Sequence, residues 1–134
     1  MGVIVDVVTI FPEMFAPVLR VGMTGRAIAR GALDVHINDL REHTTDKHRS
    51  TDDTPYGGGS GMVMLVEPLL RALSAIESAR GRGHRVLLTP AGKPLRQPLV
   101  RQLAARSHLV LLCGRYEGVD ERIREVFVDR ELSK

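Results

Sequence analysis

LVLLCGRYEGVDER, residues Leu109 to Arg122, decides how the rest of the chain is read. Its opening, Leu109 to Cys113, is apolar without interruption. Such a run between a polar segment and a glycine predicts a strand buried on both faces of a parallel sheet. Gly114 ends the strand. Arg115, Tyr116 and Glu117 follow, then Gly118, and Asp120 is placed to cap a helix that starts at Glu121. Ligands of open α/β sheets sit just beyond the carboxyl ends of the strands. A cation, a phenol and a carboxylate between two glycines at that place make a candidate site. The plainer reading is a strand-to-helix loop with surface charges.

Upstream, Leu95 to Arg106 has the spacing of an amphipathic helix, with Pro98 in its early part. Arg85 to Thr89 (RVLLT) predicts a strand stopped by Pro90-Ala91-Gly92, a tight turn at another carboxyl end. Glu67 and Pro68 open a helix running to about Arg80, with Leu69, Leu70, Leu73 and Ile76 facing inwards. At the start of the chain, Val3 to Phe11 is rich in β-branched residues and predicts a strand. Pro12 begins a helix whose Met14, Phe15, Val18 and Leu19 are expected in the core. Thr24 caps a short helix from Gly25 to Arg30, ended by Gly31. Leu33, Val35 and Ile37 then alternate with polar residues, as in a strand with one wetter face. Downstream, Ile123 and Val126 to Val128 predict a short helix and a last extended piece, and Asp129 to Lys134 is polar. Strands alternating with helices give an α/β domain, a mostly parallel sheet with flanking helices. The chain shows no internal repeat and no evident linker.

Composition narrows the function. With 134 residues there is room for one domain with a real core, and 43% hydrophobic against 26% charged residues fits a soluble globular chain. The pI near 9.5 leans towards a polyanionic partner, although the net charge is only +3. The single cysteine, Cys113, lies in an apolar run and is expected to be a buried, inert thiol in a reducing, cytoplasmic setting. No stretch is long and apolar enough for a membrane span, and no signal-peptide pattern opens the chain. Aromatics at 4% argue against a surface that stacks many bases. The first strand is not followed by GxGxxG, so the dinucleotide fingerprint is missing.

Residues 39–61 break all periodicity: DLREHTTDKHRSTDDTPYGGGSG. A loop of this length in a compact domain is functional or disordered. Three readings compete. His43, His48, Asp46, Asp52 and Asp53 offer metal-binding side chains, but at spacings that match no ligand signature. A solvated loop is the plain alternative. A phosphate or nucleotide cradle is the third, since the amides of Gly57, Gly58, Gly59 and Gly61 can approach an anion closely. No Gly-Lys-Ser/Thr follows, which excludes a Walker A loop.

Five segments then fall in register: Phe11 to Phe15 (FPEMF), Gly22 to Ala27 (GMTGRA), His48 to Met62 (HRSTDDTPYGGGSGM), Thr89 to Gly92 (TPAG) and Cys113 to Arg122 (CGRYEGVDER). In this order and spacing the chain resembles the bacterial tRNA (guanine-N1)-methyltransferases, the TrmD-type enzymes of the SPOUT superfamily. The resemblance covers nearly the whole chain. It implies a SPOUT-type α/β fold with a deep trefoil knot, an exception to the rule that chains do not thread loops. It implies a cytoplasmic homodimer with each active site between two subunits, and no membrane. The implied reaction moves a methyl group from S-adenosylmethionine to N1 of the guanosine 3′ of the tRNA anticodon.

By this similarity Leu87, Leu88, Pro90, Gly114, Tyr116, Glu117, Gly118 and Ser133 bind the cofactor. Asp52, Tyr56, Gly57, Gly58, Gly59, Gly61 and Arg26 meet the tRNA substrate, and Arg115 and Glu117 are the catalytic candidates. No metal is implied. The chemistry suits these residue types. A sulfonium donor is already reactive, so alignment of the two reactants is the protein's main task. The N1 proton must leave, which asks for a carboxylate base. Charge developing on O6 asks for a donor such as Arg115. An extruded base read on its Watson–Crick edge suits a pocket of backbone and carboxylate contacts. Relatives of this type continue past the segment matching Glu131 to Ser133. A glycine-rich loop closes the knot there, and a helical C-terminal domain carries the usual general-base aspartate. Residues 1–134 are therefore expected to be the N-terminal domain, with the knot incomplete and little activity alone. The alternative is a non-catalytic tRNA-binding or dimerising module. A third reading is a metal-dependent phosphate-ligand enzyme using Gly57 to Gly61 and the Asp52-Asp53 pair.

Overall fold

The computed structural model describes residues 2–43, 52–53, 63–64, 66–94, 102–113, 118–119 and 129–133. Of these, 52–53, 63–64, 66, 89–94, 118–119 and 130–133 are described as backbone. Among the described residues the main sheet has five strands: β1 (Val3–Thr9), β2 (Leu33–Asp39), β5 (His84–Pro94), β6 (His108–Cys113) and β8 (Arg130–Ser133). Their order is β2-β1-β6-β5-β8, and every pairing is parallel. A second sheet joins three two-residue strands, β3 (Asp52–Asp53), β4 (Val63–Met64) and β7 (Gly118–Val119). Among the described residues the main helices are α1 (Ala16–Leu19), α2 (Gly22–Ala29) and α3 (Val66–Arg80).

The mostly parallel α/β architecture expected from the sequence is the one observed. Several local readings are corrected. β1 ends at Thr9, not Phe11, because the Thr9 Oγ1 accepts the Phe11 N–H at 3.0 Å and turns the chain. The helix expected from Pro12 splits into a 3-10 turn, Pro12–Met14, and α1. Pro17 has no N–H to donate to the previous turn, so it can only open a new helix. α2 starts at Gly22 after an extended Val21, which places Thr24 inside the helix instead of at its cap. Its end follows the sequence: Gly31 has φ +76, its N–H bonds Ile28 O at 3.0 Å, and the Ala32 N–H bonds Ala27 O at 2.9 Å. That pair of bonds is the Schellman closure.

α3 lies over one face of the sheet. Leu69, Ala72, Leu73 and Ile76 pack with Val8, Ile10, Leu40, Leu87, Val110 and Leu112 into the main core, with Phe11 at its margin. Leu70, expected inside, is 37% exposed. β6 alternates: His108, Val110 and Leu112 are buried, whereas Leu109, Leu111 and Cys113 are half-buried. It is thus not uniformly buried on both faces, and Cys113 is not the fully buried thiol that was expected. Met14, Phe15, Val18 and Leu19 were expected in the core, but none is buried; Met14 is 66% and Val18 55% exposed.

β5 runs past the expected stop at Pro90. Its register against β8 shifts there, with both Leu88 and Lys93 opposite Leu132, so residues 89–92 form an irregularity inside the strand. β8 itself was read only as a polar tail. It is an edge strand, where backbone pairing suffices and polar side chains are admissible. The expected helix Leu95 to Arg106 is described only at its end, where residues 102–104 are helical. The helix expected after Asp120, the piece from Ile123 to Val128 and the path of any knot lie outside the described residues. Among the described residues no helix is long and apolar enough to cross a membrane.

Candidate active site at the carboxyl ends of the sheet

β1 and β6 are neighbours whose following connections leave in opposite directions, β1 towards β2 and β6 towards β8 beyond β5. Such a switch point opens a crevice outside the strand ends. Leu87 and Leu88 stand opposite Leu112 and Cys113 of β6 and opposite Glu131 and Leu132 of β8. Leu87 is fully buried and Leu88 half-buried. The cofactor candidates Leu87 and Leu88 are therefore brought to the same end of the sheet as Cys113, and Gly114 follows by one residue. Ser133 joins them through its backbone, opposite Pro94. Pro90 lies in the irregularity of β5 between these pairings.

The small sheet makes a second convergence. Met64 of β4 has Asp52 opposite it on one side and Val119 on the other; Val63 likewise lies between Asp53 and Gly118. Two strand spacings, about 10 Å, then separate the backbone of the Asp52-Asp53 pair from Gly118-Val119. The aperiodic segment 39–61 and the segment Cys113 to Arg122 are thus tied by backbone pairing, which neither stretch announces alone. Arg26 is exposed on α2, beside the β2 edge. The described residues do not bring it to either convergence. Gly114, Arg115, Tyr116, Glu117, Tyr56, Gly57, Gly58, Gly59 and Gly61 lie outside the described residues. So do His48 and Asp46 of the metal reading, and the described residues contain no cluster of three or more His, Cys, Asp or Glu fit for a metal ion.

Sequence reading did not single out Asp6, the polar centre of VIVDVVT. Its carboxylate is fully buried. It accepts from Arg80 Nε at 3.1 and 3.0 Å and from Arg80 Nη2, from Asn38 Nδ2 at 3.1 Å, and it pairs with His108 Nε2 at 2.7 Å. Burial pushes the Asp6 carboxyl up, yet the hydrogen bonds of Arg80, Asn38 and His108 and the Arg80 charge outweigh it and hold it below the usual carboxylate range. The same bond raises Arg80. Burial and the Arg82 charge lower Arg85, against the opposing pull of Glu77 and Asp129. A lone acid inside an apolar strand was the available signal, because a buried charge must find a partner. This cluster ties β1, β2, β6 and the end of α3 together and does not reach the crevice.

Set beside known proteins, residues 3–134 match the family described as tRNA (Guanine-1)-methyltransferase TrmD. The chain is 51% identical over 129 residues to a tRNA (guanine-N(1)-)-methyltransferase of Chloroflexus aurantiacus, covering 96% of this chain and 51% of the relative. It is 49% identical over 150 residues to that of Sorangium cellulosum, covering 96% of this chain and 56% of the relative. The crystal structure of tRNA (m1G37) methyltransferase from Aquifex aeolicus superposes with a TM-score of 0.91 at 36% identity, over 99% of this chain and 60% of that one. The chain spans about half the length of the curated relatives it matches.

Proposed function

The chain belongs to the tRNA (guanine-1)-methyltransferase family, and from that premise we propose that it is the methyl-transfer domain of an S-adenosylmethionine-dependent enzyme acting on N1 of the guanosine 3′ of the anticodon. The observation that supports the reading is the pairing of β3, β4 and β7, which sets Asp52-Asp53 and Gly118-Val119 on either side of Val63-Met64 in one small sheet. Asp52 of the substrate candidates and Gly118 of the cofactor candidates, 66 positions apart in sequence, then belong to one small sheet.

The residues at this end of the sheet suit the cofactor. Half-buried Leu88 offers an apolar surface for an adenine ring, and Leu87, packed in the core behind it, holds that surface in place. Pro90, Gly114, Tyr116, Glu117, Gly118 and Ser133 would complete its pocket. S-adenosylmethionine, when bound, supplies an electrophilic methyl group. Arg115 donates hydrogen bonds to the guanine O6 and stabilises the charge that grows there as N1 gives up its proton to a carboxylate base, the role that the resemblance assigns to an aspartate of the relatives' C-terminal half, and takes the methyl group. Glu117 accepts from the base edge or the cofactor and fixes the angle of approach. Asp52 and the Tyr56 to Gly61 segment hold the extruded guanosine, and Arg26 meets a phosphate of the tRNA. The enzyme works as a cytoplasmic homodimer. Exposed Met14, Val18, Val21 and Met23 support a face that a second copy covers.

The test is methyl transfer from labelled S-adenosylmethionine to a tRNA transcript with guanosine 3′ of the anticodon, beside one with adenosine there. It is run on this chain alone and joined to the remaining half of the Chloroflexus aurantiacus relative. Guanosine-dependent transfer that falls about a hundredfold or more in Arg115→Ala is expected, as for loss of one donor to a developing oxyanion. Equal labelling of both transcripts, or an unchanged rate in Arg115→Ala, would sink the assignment.

A further inference from the structure

The opposite end of the sheet, at the amino ends of its strands, carries a second feature. There the chain enters β5, β6 and β8 side by side, and a cleft of about 370 Å³ opens between Arg82, His84, Arg106, Ser107 and Asp129. Its volume lies in the range of small-ligand pockets, roughly 300–1,000 Å³. β6 is six residues long, so this mouth lies about 20 Å from the carboxyl-end crevice. Gly83 lets the chain close over the floor: a Cβ there would stand 2.9 Å from His108 Cγ and 2.9 Å from Val110 Cγ2.

Among the described residues two arginines and one carboxylate line this cleft. Asp129 is the carboxylate in the lining, and it is already engaged. It accepts from Arg82 Nη2 at 3.1 and 3.3 Å and from the Arg85 backbone N–H at 2.8 Å, while its own N–H bonds Arg85 O at 2.9 Å. Arg82 and Asp129 therefore cancel in charge. Among the described residues Arg106 has no carboxylate partner. Its guanidinium, the Ser107 hydroxyl and Arg82 line the mouth, and among the described residues the Arg106 charge is the one there without a carboxylate opposite it. An acceptor-only, multidentate anion is the complement of such a set, and guanidinium forks match phosphate oxygens in pairs.

We propose that this cleft is a phosphate-binding site, separate from the methyl-transfer crevice, with Arg106 as its principal ligand. The phosphate is either a free small anion or a phosphodiester of a nucleic-acid strand; both present the same oxygens. The proposal does not rest on the methyl-transfer reading.

The experiment follows the backbone amides of the full chain by 1H–15N NMR during titration with inorganic phosphate, then with a short RNA stem–loop. Saturable shifts at Gly83, His84 and Ser107 are expected with phosphate. In Arg106→Ala the affinity should fall about tenfold, as for loss of one charge-assisted bond. Arg106→Glu should abolish the shifts, and Arg106→Lys should recover part of them because it keeps the charge without the fork. Arg106 is exposed, so unchanged melting temperatures across the three variants serve as the folding control. RNA that shifts the same amides and is displaced by phosphate identifies the phosphodiester as the ligand. Shifts with phosphate alone identify a small anion. Absence of saturable shifts with either probe, or equal shifts in Arg106→Glu, overturns the proposal. None of these readouts depends on methyl transfer, so failure here leaves that function standing, and the reverse.

Discussion

α3 and the α1–α2 pair are both written with apolar residues at helical spacing, yet the fold treats them oppositely. α3 sinks Leu69, Ala72, Leu73 and Ile76 into the core over the middle of the sheet. α1 and α2 bury no residue at all; Val21 at the start of α2 and Met23 within it are 64% and 83% exposed. Position explains the difference. α3 covers the central strands, which offer a broad apolar surface, whereas α2 packs beside β2, an edge strand of mixed polarity. Apolar periodicity therefore states that a helix has a face to cover, and not what covers it.

The contrast can be broken most directly at Leu73. Leu73→Ala should cost roughly 3–4 kcal/mol in denaturant unfolding, the range for a buried leucine whose cavity cannot collapse. Asp6→Ala should follow at about 3 kcal/mol, the low end for breaking a buried ion pair, since the Arg80 side chain stays 22% exposed. It tests whether the α3 end is held by charge as well as by packing. The pH dependence of that pair has a definite sign. The native Asp6 carboxyl lies below its ordinary value, so its stabilisation is present above the ordinary carboxylate range. It is lost as the pH falls through the lowered native value. The stability advantage of the wild-type chain over Asp6→Asn should accordingly shrink below about pH 4, as read by urea midpoints across pH. Met23→Gln should be the smallest effect, within about 0.5 kcal/mol for the monomer, while sedimentation moves towards a smaller species. A loss at Met23 comparable to that at Leu73 would erase the distinction between the two helical faces.

Much of the fold was legible in particular residues. The β-branched run in Val3 to Thr9, the Gly31 stop and the Leu69-Leu73-Ile76 spacing each carry a local signal strong enough to survive packing. Arg130 to Ser133 carried none, because an edge strand is recruited by backbone pairing with β5 and not by its side chains. Pro90 was read as a stop, but β5 absorbs it as an irregularity of register, where a missing N–H need not break the pairing on both sides. At the candidate site, Leu87 and Leu88 were legible as the end of a strand. The link between Asp52 and Gly118 was not, since two-residue strands have no periodicity to read.

By itself the sequence determined the alternation of strands and helices, the apolar stripe of α3 and the family register of five motifs, because each is a property of neighbouring residues. Tertiary structure alone decided the strand order β2-β1-β6-β5-β8, the partners of Asp6 and the meeting of Arg82, Arg106 and Asp129 at one cleft. Those depend on contacts between residues 23 to more than 100 positions apart. Such contacts form only where burial of a shared core offsets the entropy of closing long loops.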